Sequence, residues 1–395
     1  MRLILIINAG SSSVKCALMT IDAQGSVQEC ARGQVDGIGR DAEFWMRFAD
    51  GHKDIKEVMS SGTKTSHKEA LGLFLKTVDD IYGLKALVGA GHRIVHGGPN
   101  FIKPIKLDAA AIAELKKLIP LAPLHQPHNL AAIESLLELL PELPQIGCFD
   151  TAFHATIPDI ARNFALPKAL TEKGIRRYGF HGISYHFIAE AFAARDAERA
   201  RGRVIVAHLG NGASLCGMIN GQSVATTMGF SALDGLMMGT RTGSIDPAVI
   251  FYLMREEKLG PEAVEKLLYN QSGLLGVSGL SNDMRTLRKV AAENADARLA
   301  LSMFTYRVIR EIGSIAAALN GLDALIFTAG IGENDSQLRA EVITGLSHLG
   351  LALDESANSK RDHQISSSTH PAAFVIPTNE EALIARATLS LLPHL

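Results

Sequence analysis

The sequence predicts an α/β protein built from two duplicated domains that face each other across a cleft. One pattern occurs twice. The apolar residues 3–7 end in Asn8-Ala-Gly-Ser-Ser-Ser, and the mainly apolar run 203–209 ends in Gly210-Asn-Gly-Ala-Ser214. Each repeat reads as a buried strand that delivers small residues and backbone N–H groups to a point where an anion can sit, glycine permitting the tight backbone. In both halves strands come first, and helical and strand patterns then alternate, as α/β domains do. A chain of 395 residues, 47% of them hydrophobic, is also long enough to bury two cores.

In the first half, residues 14–21 and 26–35 read as further strands, with another near 43–48. From 66 to 82, Ala70, Leu71, Phe74, Leu75, Val78 and Ile81 recur at helical spacing, and 85–95 returns to a β-branched strand. Helical patterns at 108–119 and 129–140 flank Pro120-Leu-Ala-Pro-Leu-His-Gln-Pro-His, whose prolines mark a rigid loop. A short strand over 144–149 runs into Asp150, where the domain boundary falls. The second half restarts with the strand 203–209. Asn220-Gly221 between apolar runs predicts a type I′ hairpin. Asp246-Pro247 has the form of an N-cap followed by proline at the first helical position, opening a helix over 248–257. A long helical region, 295–319, precedes a strand over 324–328 and the turn Ala329-Gly-Ile-Gly-Glu-Asn334.

A formal net charge of −2 gives no basic stripe for nucleic acid or an anionic membrane, so a small-molecule partner is expected. The first apolar run is shorter than a signal-peptide core, and no stretch of about 18 apolar residues could span a bilayer. Cys16, Cys30, Cys148 and Cys216 are scattered without C-x-x-C spacing, which argues against a disulfide framework or a thiolate zinc site. The expectation is a reduced cytoplasmic enzyme.

The first glycine turn, Asn8 to Lys15, is not a Walker A sequence, because it leads into a strand and its lysine follows no glycine. Three glycine turns at strand ends nevertheless suit a nucleotide. The chain carries Asn8-Ala-Gly-Ser-Ser-Ser, His92-Arg-Ile-Val-His-Gly-Gly98, Phe149-Asp-Thr-Ala-Phe-His154 and Arg176-Arg-Tyr-Gly-Phe-His-Gly182. It continues with His208-Leu-Gly-Asn-Gly-Ala-Ser214, Met237-Met-Gly-Thr-Arg241, Gly330-Ile-Gly-Glu-Asn334 and Thr378-Asn-Glu-Glu381. In these motifs and their order, almost end to end, the chain resembles the acetate kinase family of the acetate and sugar kinase, Hsp70 and actin superfamily.

The resemblance implies two actin-like, ribonuclease H-like domains around a central nucleotide-binding cleft. The first would span residues 1–150 plus the closing C-terminal helix 382–395, and the second residues 151–381. It implies direct transfer of a phosphoryl group between ATP and acetate with Mg²⁺, or Mn²⁺ in its place, and a homodimer. By similarity, Arg93, Asp150, His181 and Arg241 are catalytic, and Arg93, Val95, Pro123 and Leu124 meet the carboxylate substrate. Nucleotide contacts fall to Lys15, His208, Leu209, Gly210, Asn211, Gly212, Asp283, Met284, Arg285, Gly330, Ile331, Gly332 and Asn334. Asn8 and Glu380 would hold the metal. Glu381 is left to helix capping, since Thr378-x-x-Glu381 is a capping-box pattern.

The chemistry accounts for these residue types. A carboxylic acid of pKa about 4 is ionised at neutral pH, so its attacking oxygen needs no base. Its difficulty is the approach of one anion to another, which arginines relieve with a permanent charge and a planar fork. Arginine on a migrating phosphoryl group contributes roughly 10³ to 10⁵ in rate, whereas a surface ion pair is worth at most about 1 kcal/mol. Without the motifs, His181 reads as a structural histidine, Asp150 as a turn or cap, Val95 as core, and Asp283-x-Arg285 as a helix start. The family commonly has Asp where Ala225 stands, His at Tyr185 and Gly at Ala329.

Other readings remain open at this point. A propionate kinase would use the same machinery, one methylene being worth only about 1–3 kcal/mol. A metallohydrolase could use His92, His96, His125, His128, Asp150 and His154, although no acidic base lies between the histidines. An esterase lacks Gly-x-Ser-x-Gly. An ATP-driven chaperone or filament would not need the paired arginines.

Overall fold

The computed structural model describes residues 1–39, 41–59 and 65–392. The chain divides into two compact units, Met1–Phe153 with Asn379–Leu395, and His154–Thr378. In the first unit lie β1 (Arg2–Ala9), β2 (Ser13–Ile21), β3 (Val27–Asp36), β4 (Ala42–Phe48), β5 (Ile55–Met59), β6 (Leu87–Ile94), β7 (Ile105–Lys106) and β8 (Gln145–Phe149). They form one sheet in the order β5-β4-β3-β2-β1-β6-β8-β7. The second unit has β9 (Arg203–Leu209), β10 (Ala213–Ile219), β11 (Gln222–Thr226), β12 (Ala324–Thr328) and β13 (Ala372–Val375), in the order β11-β10-β9-β12-β13.

The duplication predicted from the two glycine turns is present in the topology. In each unit an antiparallel meander, β1 to β5 in the first and β9 to β11 in the second, is extended by two strands parallel to its first strand: β6 and β8 beside β1, β12 and β13 beside β9. Parallel strands end at the same edge. The carboxyl ends of β1, β6 and β8 therefore bring Asn8, Arg93 and Asp150 together, and those of β9 and β12 bring Gly210 beside Ala329.

The continuous apolar run of β1 is explained by burial on both faces. Leu3, Leu5 and Ile7 join a core with Leu71, Phe74, Leu75 and Val78 of the helix His67–Tyr82. On the opposite face lies the C-terminal helix Glu380–Leu391, which packs on β1, β6 and β8. Its approach is close because Gly91 has no side chain: a Cβ there would lie 2.5 Å from Ile384 Cγ2 and 3.2 Å from Ile6 Cδ1. In the second unit the helix Ala295–Ala318 covers β9, β10 and β11 in the same way, and a Cβ on Gly217 would come within 2.5 Å of Ile315 Cγ2.

Local signals translate as expected at several points. Asn220 and Gly221 both have positive φ, 53° and 70°, as a type I′ turn requires. Asp246 accepts from the Ala248 N–H at 2.8 Å and opens the helix Pro247–Arg255. Three expectations are corrected. The segment Ala329–Asn334 is a short helix rather than a turn. Helix Gln126–Leu139 starts inside the proline-rich segment read as loop, because a proline in the first helical turn lacks only an N–H that would have no partner there. No capping box forms at Thr378: the cap is Asn379, whose side chain accepts from the Ala382 N–H at 2.9 Å, while Thr378 Oγ1 pairs with Ser184 Oγ. No described helix is long and apolar enough to cross a membrane.

Replacing Gly91 with alanine should cost about 1–3 kcal/mol by overpacking β6 against the C-terminal helix, read as a lowered denaturation midpoint. Ala329 has φ 64°, a left-handed conformation that costs a non-glycine residue about 1–2 kcal/mol. Ala329→Gly should therefore stabilise the protein by up to about 1 kcal/mol, the gain being reduced by the greater chain entropy of glycine in the unfolded state.

Candidate active site

Two clusters of side chains marked by the sequence lie near these strand ends, one in each unit. In the first, Arg93 sits near the end of β6 and Asp150 follows β8, its N–H donating to the Ile94 carbonyl at 3.0 Å. The Arg93 guanidinium grips the Asp150 carboxylate with two bonds, Nε to Oδ1 at 3.2 Å and Nη2 to Oδ2 at 2.5 Å. Its third nitrogen, Nη1, donates to Asn8 Oδ1 at 3.1 Å. Glu380, the first residue of the C-terminal helix, places Oε2 3.8 Å from Arg93 Nε. Lys15 faces Asn8 across the β1–β2 pair and is exposed.

Asp150 is only 1% exposed, and burial pushes its carboxyl upward against the pull of Arg93. Burial likewise pushes Glu380 up to about 7; Arg93 opposes this shift and the Asp150 charge adds to it. Arg93 stays firmly cationic: its own burial works against the charge, but Asp150 and Glu380 outweigh it. A second cation would relieve the Glu380 carboxylate, and the oxygens of Glu380 and Asn8 are the hard donors a small divalent ion accepts.

In the second cluster His181 precedes the helix Gly182–Arg195 with φ 58°, a left-handed conformation in a residue with a bulky side chain. Its Nδ1 lies 2.8 Å from Ser214 Oγ, and its ring stacks on His208 at 4.2 Å. A Cβ on Gly212 would lie 3.3 Å from His181 Nε2 and 3.9 Å from Arg241 Nη1, so these two groups flank the glycine turn. Arg241 Nη1 also donates to the Ala232 carbonyl at 3.0 Å. His154 holds the strand of chain before His181: burial lowers its pKa to about 4, and the neutral ring donates from Nε2 to the Phe180 carbonyl at 2.9 Å. Arg177 donates to the carbonyls of Thr227 and Met228 at 3.2 and 2.9 Å, pinning the chain after β11.

Beside the second cluster a cavity of about 690 Å³ is lined by Gly210, Asn211, Asp283, Met284, Arg285, Gly330, Ile331 and Asn334. Asp283 also caps the helix Met284–Val290, accepting from the Thr286 N–H at 2.8 Å, so it serves the helix start as well. Asn211 Oδ1 accepts from Asn282 Nδ2 at 3.1 Å, and a Cβ on Gly239 would collide with that same oxygen.

A family model described as the acetokinase family matches residues 3–386. The chain belongs to the acetokinase family. An acetate kinase of Rhodopseudomonas palustris (strain ATCC BAA-98 / CGA009) is 46% identical over 388 residues, covering 97% of this chain and 96% of that protein. Among solved structures, a propionate kinase from Francisella tularensis subsp. tularensis SCHU S4 superposes with a TM-score of 0.93 at 37% identity, covering 99% of this chain and 100% of that one. Porphyromonas gingivalis acetate kinase gives a TM-score of 0.89 at 34% identity, with 100% of each chain covered. The duplicated topology is accordingly that of an acetokinase-family kinase.

Not every residue marked by the sequence reaches a cavity or cluster. Leu209 is wholly buried at the end of β9, and Gly332 gives the short helix room against the Ala207 carbonyl, 3.5 Å from a Cβ built there. His208 does belong to the second cluster through its stacking on His181, but it is buried, with Nδ1 2.8 Å from Ser184 Oγ. Val95 is buried and its N–H donates to Asn129 Oδ1, whereas Pro123 and Leu124 are exposed before the helix Gln126–Leu139. Sequence reasoning passed over Asn282, Arg288, Asp335, Ser336 and Gln337, which also line the cavity. None stands in a glycine turn, so no local signal marked them.

Of the histidines weighed as metal ligands, His92, His96 and His154 are otherwise employed. His92 Nε2 meets Gln145 Oε1 at 2.6 Å, His96 Nδ1 accepts from the Gly98 N–H at 2.8 Å, and burial lowers both to about 4. Among the described residues no three His, Cys, Asp or Glu side chains converge as a metal-binding group.

Because the Glu380 carboxyl is raised, the folded protein keeps its proton up to about pH 7 while an unfolded glutamate has lost it near 4.5. Its contribution to stability therefore falls as pH rises through that window. In the presence of a chelator, Glu380→Gln should be more stable than the parent at pH 8 by on the order of 1–3 kcal/mol, the difference vanishing towards pH 4; urea titrations at both pH values measure it.

Proposed function

We propose that this protein catalyses reversible transfer of the γ-phosphoryl group of ATP to acetate, giving acetyl phosphate and ADP. The observation that carries the reading is the convergence of His181 Nε2 and Arg241 Nη1 on the Gly210–Gly212 turn, beside a cavity lined by the expected nucleotide contacts. The names of the relatives, acetate kinases at 41–47% identity, support the same acceptor.

In this reading adenosine occupies the cavity, with Asn211 and the glycine turn on its phosphates. Arg241 neutralises the oxygens of the migrating group, and His181 donates a hydrogen bond to them. Arg93 receives the acetate carboxylate and brings it against the phosphorus. Asp150, already held by two bonds from Arg93, orients that guanidinium and balances its charge rather than taking a proton. Acetate arrives ionised, so the reaction needs no base. Asn8 and Glu380 would hold Mg²⁺, or Mn²⁺ in its place, which when bound supplies positive charge to the nucleotide phosphates. Val95, Pro123 and Leu124 would limit the acyl chain. Lys15, beside Asn8, would lend positive charge to the same end of the first unit.

A longer acyl group is the second reading, favoured by the likeness to the propionate kinase structure. Self-association of two copies is supported by the helix Pro247–Arg255, which buries no residue and exposes Val249, Phe251, Tyr252 and Met254.

Hydroxylamine trapping of the acyl phosphate, with ATP and Mg²⁺ and a series of carboxylates, tests reaction and chain length together. Acetate should give the highest kcat/KM; a higher value for propionate would replace the acceptor, and ATP loss without hydroxamate would overturn the reaction. Arg241→Ala should fold normally and lower kcat by about 10³-fold or more, and near-native turnover would remove Arg241 from the transition state.

A further inference from the structure

Tyr185, to which the sequence assigns no role, is completely buried in the first turns of the helix Gly182–Arg195. Its hydroxyl lies 2.5 Å from Ser214 Oγ, and Ser214 Oγ lies 2.8 Å from His181 Nδ1. Among the described residues the tyrosine hydroxyl has no other hydrogen-bond partner. Phenol and alcohol each own one hydrogen. If Tyr185 donates to Ser214 and Ser214 donates to Nδ1, both hydrogens are used and Nδ1 accepts, so the neutral imidazole carries its hydrogen on Nε2. If Nδ1 carried it instead, Nδ1–H would donate to Ser214, and one of the two buried hydroxyl hydrogens would lack an acceptor.

Burial keeps the phenol well above its ordinary pKa, so it remains a donor at every working pH. Other ionisable groups near His181 include His208, stacked on its face, Arg241 across the Gly212 turn, and His154, bonded to the preceding carbonyl. None of these occupies the Ser214 hydroxyl. Nε2, the nitrogen turned away from Ser214, is the one beside Gly212.

We propose that Tyr185 is a positioning residue that acts through Ser214 to fix His181 as the Nε2–H tautomer, presenting a hydrogen-bond donor towards the phosphoryl oxygens. The tautomer stands on the hydrogen-bond network alone; its use in catalysis rests on the function proposed above. The test is ¹⁵N NMR of the full chain labelled at histidine, with His181 assigned by His181→Gln, alongside steady-state kinetics.

The parent should show His181 with its hydrogen on Nε2. In Tyr185→Phe, which keeps the ring and loses the donor, the signal should move towards Nδ1–H or a mixture. Its kcat should fall about 10- to 10²-fold, with KM for ATP and acetate within about threefold. A parent already in the Nδ1–H form, or a Tyr185→Phe variant whose His181 stays on Nε2–H, overturns the proposal. If the tautomer shifts while kcat does not, the network stands and the assignment of His181 to the phosphoryl group falls. Should Tyr185→Phe fail to fold, Ser214→Ala gives the same readout by removing the middle of the relay.

Discussion

Parallel pairing of β6 with β1 and β8 is the constraint from which the first cluster follows. Three strands running the same way must finish at one edge, and the register sets Arg93 beside Cys148, one step from the point where Asp150 leaves the sheet. The two-bond grip of Arg93 on Asp150 is thus a consequence of strand register and needs no long-range adjustment. The second unit uses the same arrangement, with β9 and β12 ending side by side. Their ends carry backbone turns in place of charges: Gly210 to Gly212 on one strand, the Ala329–Asn334 helix on the other. One topology used twice therefore yields two different chemistries, an ion-pair cluster in one unit and a backbone cradle with a histidine and an arginine in the other.

The charge balance of the first cluster argues for a ligand. A buried carboxylate is costly unless paired, and Arg93 satisfies Asp150 while leaving Glu380 within 3.8 Å of the same guanidinium. Burial raises the Glu380 carboxyl, and the second carboxylate beside the one guanidinium adds to that rise against the pull of Arg93. A fold optimised for stability alone would gain by replacing one of these acids. Retaining both is intelligible if the working state contains further positive charge, as a divalent cation provides.

Most of the fold was legible because its signals are local and redundant. β1 and β9 are runs too apolar for any exposed surface; Asn220-Gly221 needs positive φ at both positions; Asp246-Pro247 carries its own cap. What escaped reading depended on packing partners far along the chain. The short strands β7 and β13 have little pattern of their own and exist because β8 and β12 offer an edge. The capping box at Thr378 was plausible by spacing, but Thr378 Oγ1 is taken by Ser184, 194 positions away, and Asn379 caps the helix instead. The site divides similarly. Glycine turns and motif arginines announced themselves, whereas Asn282, Arg288 and Gln337 reach the cavity from helices and loops whose own sequences are ordinary.

The same distinction governs Tyr185. As a letter in the chain it is an aromatic residue on a helix, and core packing would be the default explanation for it. Its hydroxyl changes that assessment, because a buried phenol needs an acceptor and the one supplied, Ser214, is already committed to His181. The restraints on His181 are of different kinds, among them a left-handed backbone, a ring stacked on His208, and a hydrogen bond at Nδ1. Backbone and stacking fix where the imidazole lies, and the hydrogen bond at Nδ1 distinguishes its two nitrogens. A group proposed to donate to a phosphoryl oxygen must have its hydrogen on the correct one, so for the proposed reaction the restraint that looks weakest in packing terms is the one that matters most.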